Sequence, residues 1–283
     1  MHISLPPIRA CIFDLDGLLV NTEDLYIQAE NRVLARYGRP PVPWPLRAQT
    51  IGRPLPAAIA AIHAWADLPH IAPEVLQREF EAERAPQRAK CAPMPGALAL
   101  LDALNGSGSA LGPRVYVALA TNTTAQKLTA KIAHNAANRA MLALIPPAHR
   151  ILSNPSARWR RKPAPDLYLA ALDAINASLP AGEPAVRPAE CLAFEDSVLG
   201  VEAGRRAGMR VVWVPPPELA AELGAEQEAV VLAGRTGAAK TMGLVGCGEQ
   251  EEPGEVDDGW GERLGTLDEF EFGKYGIARV VLG

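Results

Sequence analysis

The apolar residues of this chain fall into two kinds of run. Short unbroken runs recur at Ala10–Phe13, Val115–Ala120, Cys191–Phe194 and Val211–Val214, with a shorter one at Ile151-Leu152. Runs of this length without polar alternation predict strands covered on both faces. Between them lie longer stretches with helical spacing. Asn21 or Thr22 can cap a helix that runs to Tyr37, with Glu23 and Asp24 favourably placed in its first turn and Gly38 and Pro40 as its stop. Residues 55–66 and 72–85 also have helical spacing, and Pro86 breaks the second of them. The stretch PPVPWP before them reads as a Pro-rich linker.

No strand-like run occurs between Thr22 and about Cys91, which predicts an all-helical insertion. From Pro93-Met94-Pro95-Gly96 onward, strand and helix alternate. A helix is expected from Ala97 to Leu104. Thr123 through Gln126 fits a capping box for another. Pro165 sits at the first turn of a helix carrying Leu167, Leu169 and Leu172, and Ser197 caps one that ends at Gly208. This alternation predicts an α/β fold, a Rossmann-like doubly wound parallel sheet, with the helical insertion after its first strand. Residues 234–262, rich in Gly and acid and without periodicity, are expected to form a flexible surface insertion.

Composition narrows the function. The 283 residues are 48% hydrophobic and 21% charged, with a net charge of −4. That is an ordinary globular balance, with no basic cluster suited to a nucleic-acid polymer. An anionic substrate must therefore be held by a local site. Cys11, Cys91, Cys191 and Cys247 are widely spaced, which fits a reducing compartment without structural zinc, and Cys11 and Cys191 fall in core strands. The N-terminus has no signal-peptide core and no apolar run approaches membrane-spanning length, so a cytoplasmic protein without a membrane partner is expected.

Chemistry concentrates where the predicted strands end. Asp14 and Asp16 follow the first strand, two residues apart, and two carboxylates that close are costly without a cation. Thr121-Asn122 closes the second strand ahead of a helix, a place that suits a phosphate oxygen. Lys162 lies in Arg161-Lys162-Pro163-Ala164-Pro165, where its ammonium can neutralise acids and a phosphoryl group. Glu195-Asp196 adds two carboxylates. An oxygen-only set of this kind suits Mg²⁺.

Asp14-Leu15-Asp16-Gly17, Thr121, Lys162 and Glu195-Asp196 resemble, in order, the four motifs of the haloacid dehalogenase superfamily. The stretches DGLLVNTEDLY, PMPGA, ALATN, KPAPDLYLA and CLAFEDSVLGVEAGRRAGMRVVWVP are similar to the group containing pseudouridine-5′-phosphatase and fungal sugar-phosphate phosphatases. The similarity covers residues 8–217 well and the tail more loosely. It implies a core of residues 1–20 and 93–283 with a helical cap at 21–92.

The resemblance also implies roles. Asp14 is the expected nucleophile and Asp16 the expected general acid and base. Asp14, the backbone carbonyl of Asp16, and Asp196 are expected to hold Mg²⁺, with Glu195 direct or one step behind. Thr121, Asn122 and Lys162 are expected at the phosphoryl oxygens. Asp16 argues for phosphoryl transfer, since dehalogenases of the superfamily lack that second acid.

Arg53 matches a cap loop that approaches the site in relatives, so Arg53 and Glu23 are candidate substrate contacts. Helix-dipole compensation explains Glu23 equally well. Arg158, Arg160 and Arg161 read first as a solvated loop face, and His63 and Trp65 as ordinary surface and core positions. Asn21 stands where relatives usually carry Asp, at the cap hinge.

The expected activity is Mg²⁺-dependent hydrolysis of a small phosphomonoester, such as pseudouridine 5′-phosphate or a sugar phosphate, through an aspartyl-phosphate. A phosphosugar mutase of the β-phosphoglucomutase type and a non-enzymatic scaffold on the same fold are the alternatives. The expected partner is a small phosphorylated metabolite, and the chain is expected to be a monomer or at most a dimer.

Overall fold

In the computed structural model, residues 5–51, 53, 55–106, 114–154, 159–237 and 253–278 are described. Six strands form one parallel sheet: β1 (Ala10–Phe13), β2 (Tyr116–Thr121), β3 (Arg150–Leu152), β4 (Cys191–Glu195), β5 (Arg210–Trp213) and β6 (Gly261–Arg263). Their order across the sheet is β3-β2-β1-β4-β5-β6. The chain builds outward from β1 in one direction, then returns to β1 and builds outward in the other. The order reverses between β1 and β4, where open α/β sheets form a crevice at the carboxyl ends of their strands.

Period-two geometry explains why these short strands are apolar throughout. Cys11 and Phe13 join one core with Val117, Leu119, Leu192 and Phe194, beneath α5 (Ala97–Gly106) and α7 (Ala136–Ala143). Ala10 and Ile12 join a second core with Ala118, Ala120, Ala193 and Trp213, beneath α8 (Asp166–Ala177) and α9 (Val198–Arg206). In register, Phe13 sits beside Phe194, and their rings stack at 4.4 Å. Each strand therefore needs apolar side chains on both faces.

Between β1 and α5 every described element is helical: α1 (Thr22–Arg36), α2 (Trp44–Thr50), α3 (Leu55–Ala66), α4 (Pro73–Arg84) and a 3₁₀ turn over Ala85–Lys90. These helices carry their own core of Val33, Leu34, Ile59, Ile62, Leu76 and Phe80, separate from the two cores of the sheet. Two chain segments join insertion and sheet side by side. Val20 pairs antiparallel with Pro93, and Met94 N–H donates to Leu19 O at 2.9 Å. Asn21 closes this hinge twice: its N–H donates to Ala92 O at 3.1 Å, and its Oδ1 accepts from Ala92 N–H at 2.8 Å.

Several expectations change. Part of PPVPWP is not linker, because α2 starts at Trp44 with Pro45 in its first turn, where a missing N–H costs nothing. Asn21 sits at the N-cap of α1 but spends its side chain on the hinge. Thr124, not Thr123, caps α6 (Ala125–Ile132), accepting from Lys127 N–H, and a further helix not expected from the sequence, α7, starts after its own cap at Asn135. Two helices without a strong sequence signal, α10 (Pro217–Glu222) and α11 (Ala225–Leu232), follow β5.

The expected flexible insertion at 234–262 does not hold at its end. Gly261 and Glu262 pair in parallel with Val211 and Val212, so the stretch completes the sheet edge. Three residues are too few to leave a periodic signature. Residues 238–252, Cys247 among them, lie outside the described residues. Cys11, Cys91 and Cys191 are buried free thiols. Among the described residues no helix is long and apolar enough to cross a membrane.

Candidate active site

The ends of β1, β2 and β4, with the loop before α8, deliver their polar residues to one cleft of about 240 Å³. Asp14, Asp16, Thr121, Asn122, Lys162 and Asp196 line it from the sheet side, and Glu23, Tyr26, Glu30, Arg47, Arg53 and Arg84 line it from the helical side.

Asp14 is held at both oxygens. Lys162 Nζ donates to Oδ1 at 2.6 Å, and the Asp16 N–H donates to Oδ2 at 2.8 Å. Burial pushes Asp14 up to about 7 against the pull of Lys162, and the nearby Glu195 and Asp16 charges add to the rise. Lys162, only 3% exposed, also donates to Ala120 O at 2.7 Å and to Glu195 Oε1 at 2.5 Å. Burial lowers its pKa, but Asp14 and Glu195 outweigh that and the net shift is upward. Its three N–H groups are thus all engaged by the protein. Asn122 Oδ1 accepts from the Lys162 N–H at 3.3 Å, and Thr121 Oγ1 accepts from the Thr123 N–H at 3.1 Å.

Glu195 and Asp196 differ sharply. Glu195 is fully buried; besides Lys162 it accepts from Tyr168 Oη at 2.7 Å and from Ser197 Oγ at 3.3 Å. Gly200, in the first turn of α9, lets that helix lie against it: a Cβ there would fall 1.9 Å from the Glu195 carboxyl carbon. Asp196 is 3% exposed, and its carboxylate has no hydrogen-bond donor among the described residues. Gly17, at φ +84°, makes room for it, because a Cβ there would lie 2.0 Å from Asp196 Oδ2. Burial, then Glu195 and Asp14, push Asp196 far above the ordinary carboxylate range.

Carboxylate oxygens of Asp14, Glu195 and Asp196 lie within 4.8 Å of one another. One ammonium faces these three acids, and Asp196 lacks a donor. Buried, oxygen-only and short of positive charge, this set fits a hard divalent cation. Glu195 is committed to Lys162 and Tyr168, whereas the Asp196 carboxylate has no donor among the described residues.

Asp16 points away from that cluster. Thr22 Oγ1 donates to its Oδ1 at 2.6 Å, Thr123 Oγ1 donates to its Oδ2 at 2.5 Å, and Lys131 Nζ donates to Oδ1. Burial pushes Asp16 upward, but the Lys131 charge and these hydrogen bonds outweigh it and the net shift is downward. Lys131 and Thr123 have no place in the four motifs. Lys131 did leave a sequence signal, since it follows Leu128 by three residues and so shares the buried face of α6.

The other expected contacts separate. Glu23 lines the cleft, and burial pushes it up to about 7. Arg53 is exposed at the cleft mouth. Arg161 lines the cleft, Arg160 pairs with Asp166 at 2.8 Å, and Arg158 lies outside the described residues. Trp65 packs on the core of the insertion, and His63 Nε2 bonds Ile71 O at 2.5 Å within it. Sequence alone did not reveal the roof, where Glu30 accepts from Arg47 Nη1 at 2.8 Å and from Arg84 Nη2.

A topological switch point carrying two strand-end acids, a buried lysine and an acid pair defines a class. Residues 8–208 match the model of the haloacid dehalogenase-like hydrolases. The chain belongs to that family. It is 31% identical to the probable pseudouridine-5′-phosphatase of Saccharomyces cerevisiae, over 95% of this chain and 98% of that one. It is 32% identical to (DL)-glycerol-3-phosphatase 1 of Arabidopsis thaliana, over 75% of this chain and 65% of that one. A haloacid dehalogenase family hydrolase of Deinococcus radiodurans, solved with bound phosphate and sodium, superposes with a TM-score of 0.55 at 26% identity, over 75% of this chain and 82% of that one. Within the family the chain is a phosphatase, a phosphoric monoester hydrolase.

Proposed function

We propose that the protein hydrolyses a small phosphomonoester through a phosphoryl group carried on Asp14, with Mg²⁺ as its cofactor and a nucleoside 5′-monophosphate, sugar phosphate or polyol phosphate as its substrate. The observation that carries this reading is the opposed setting of the two first-motif acids. Asp14 lies in the acid cluster with Lys162, while Asp16 is turned away and held by hydroxyls and a lysine. Names of relatives support the substrate class: one is a probable pseudouridine-5′-phosphatase and another a glycerol-3-phosphatase.

In the first half-reaction an Asp14 oxygen bonds to phosphorus, the bond from phosphorus to the leaving alcohol breaks, and the leaving oxygen takes a proton from Asp16, which is ionised in the free site and takes that proton up from solvent as substrate binds. In the second, a water oxygen bonds to phosphorus, its proton goes to Asp16, and the bond to Asp14 breaks. Lys162 and Thr121 hold the phosphoryl oxygens, Lys162 exchanging part of its grip on Asp14 for the substrate. Asp14, the Asp16 carbonyl and Asp196 would hold the cation, with Glu195 behind them. When bound, the cation offsets repulsion between these acids and the phosphate dianion.

Residues 21–92 serve as the cap over a core of residues 1–20 and 93–283. The cap supplies Glu23, Tyr26, Glu30, Arg47, Arg53 and Arg84 to the leaving-group side of the cleft. A roof this polar suits a leaving group that carries hydroxyls.

Phosphate release from a panel of esters, with and without Mg²⁺, tests the reading. The panel holds pseudouridine 5′-phosphate, other nucleoside monophosphates, 2-deoxyglucose 6-phosphate and glycerol phosphate. Release is expected to require Mg²⁺ and to fall by about 10³-fold or more in Asp14→Asn, the scale of losing a nucleophile. Retained turnover in that variant sinks the proposal. Isomerised sugar phosphate without net release of phosphate moves it to a mutase.

A further inference from the structure

Lys131 is a lysine with 1% exposure in the wall of the cleft, outside the four motifs described above. Its ammonium donates to Asp16 Oδ1 and, at 2.8 Å, to Thr123 Oγ1. Thr123 itself donates to Asp16 Oδ2 at 2.5 Å. Both bonds of Lys131 therefore serve one carboxylate, directly and through a hydroxyl.

With Thr22 Oγ1 on Oδ1 as well, Asp16 is held from the first residue of α1, from the loop after β2 and from α6. The backbone under Lys131 is pinned in turn. Asn138 Nδ2 donates to Lys131 O at 2.9 Å and to Cys91 O at 2.8 Å, tying α6 to α7 and to the hinge strand.

Stability gives no reason for this arrangement, since a buried ion pair is often no better than an apolar pair of the same volume. We propose that Lys131 is a positioning residue of the acid–base step: it fixes the Asp16 carboxylate in the direction from which protons reach the leaving oxygen and leave the attacking water. This rests on the reading of Asp16 as general acid and base. Lys131 touches neither substrate nor phosphorus and acts through Asp16.

The test uses two esters with Mg²⁺. Glycerol phosphate needs a proton on its leaving oxygen, whereas 4-nitrophenyl phosphate does not. In Lys131→Met, KM for glycerol phosphate is expected to stay within about threefold of wild type while kcat falls roughly 10²-fold, the lower end of what a general acid supplies. With 4-nitrophenyl phosphate the same variant should release about one equivalent of nitrophenol in a burst. Slow turnover follows, because only the second half-reaction then needs Asp16. Ethylammonium should restore kcat in Lys131→Ala, which a purely structural role would not produce.

Unchanged kcat in folded Lys131→Met overturns the proposal. So does an equal loss on both esters without a burst or amine rescue. Lys131→Gln, which keeps a donor, takes the place of Met if that variant does not fold. Asp14→Asn run alongside separates the two levels. Its retained turnover removes the covalent reading itself, whereas a silent Asp14→Asn beside a normal Lys131→Met removes only the role of Lys131.

Discussion

A methyl group on Gly200 would occupy the same space as the carboxyl of Glu195, with a Cβ 1.9 Å from its carbon. Gly200 is helical, so the need for glycine here is one of space and not of backbone angle. Gly200→Ala is expected to cost about 1–3 kcal/mol, the usual scale of overpacking. It would also move Glu195 off Lys162, and turnover should fall on the order of 10²-fold, as for a misplacement near 1 Å. Chemical denaturation and steady-state rates of the same preparation check both parts. If the variant keeps wild-type stability, the packing account is wrong.

Single residues also show where sequence reading stops. Asp14, Asp16, Thr121 and Glu195-Asp196 were legible because they close apolar runs at strand ends, and Lys162 because prolines flank it before a helix; the structure brings them together at one cleft, with Glu195 behind its wall on Lys162. Lys131, Tyr168 and Glu30 were not singled out. They sit within helices, where a charged or aromatic residue is ordinary, and only tertiary packing brings Lys131 to Asp16, Tyr168 to Glu195 and Glu30 to Arg47 and Arg84.

At the scale of elements, the hinge joins Leu19–Asn21 to Ala92–Met94 through a few hydrogen bonds, two of them made by Asn21. Replacing Asn21 by Ala leaves the Ala92 N–H without its acceptor, at a cost of about 1 kcal/mol. With residues 21–92 as the proposed cap, this connection would set how the cap meets the cleft, and kcat and KM are expected to change together, each by roughly threefold or more. Michaelis–Menten analysis of Asn21→Ala and Asn21→Asp decides this. Asp offers the same acceptor, so a shift in Ala alone supports the hinge account, and no shift in either refutes it.

The elements read best from sequence were those with a clear period. Cys191–Glu195 and Val198–Arg206 met every requirement of strand, cap and helix. β6 was missed because Gly261–Arg263 has no apolar run and is a strand only through the open edge of β5. α2 was missed because its prolines crowd the one turn that tolerates them.

For the whole molecule, the acid cluster ties folding to pH and to metal. Burial holds Asp14 at about 7 in the folded chain against an ordinary value of 3.8, and lifts Asp196 in the same sense. Between those values the folded state binds more protons than the unfolded one. Stability therefore falls as pH rises from about 4, with the contribution of Asp14 fully lost above about 7.

The metal-free protein should accordingly melt lower at pH 7.5 than at pH 5.5. A cation that binds only the folded, ionised cluster reverses the trend. At about 100 times its Kd, Mg²⁺ contributes about 2.7 kcal/mol, or roughly 5–10 °C for a chain of this size. The gain should shrink at pH 5.5, where protons compete for Asp14. Thermal melts at the two pH values, with Mg²⁺ and with a chelator, check the sign, and a metal-free protein that melts higher at pH 7.5 contradicts it.

The chain leaves the sheet at Val20 and returns at Pro93, and these two residues are bridged to each other. An excursion whose ends already touch is a natural cassette. It brings its own apolar core, and it also leans on the sheet domain through Trp44, Ala48 and Ile51, which pack on the second core. Splicing a relative's segment between those two points would exchange the list of accepted esters while the reaction beneath stayed the same. Descent can vary the two halves independently, which allows one chemical apparatus to acquire new diets without relearning its chemistry.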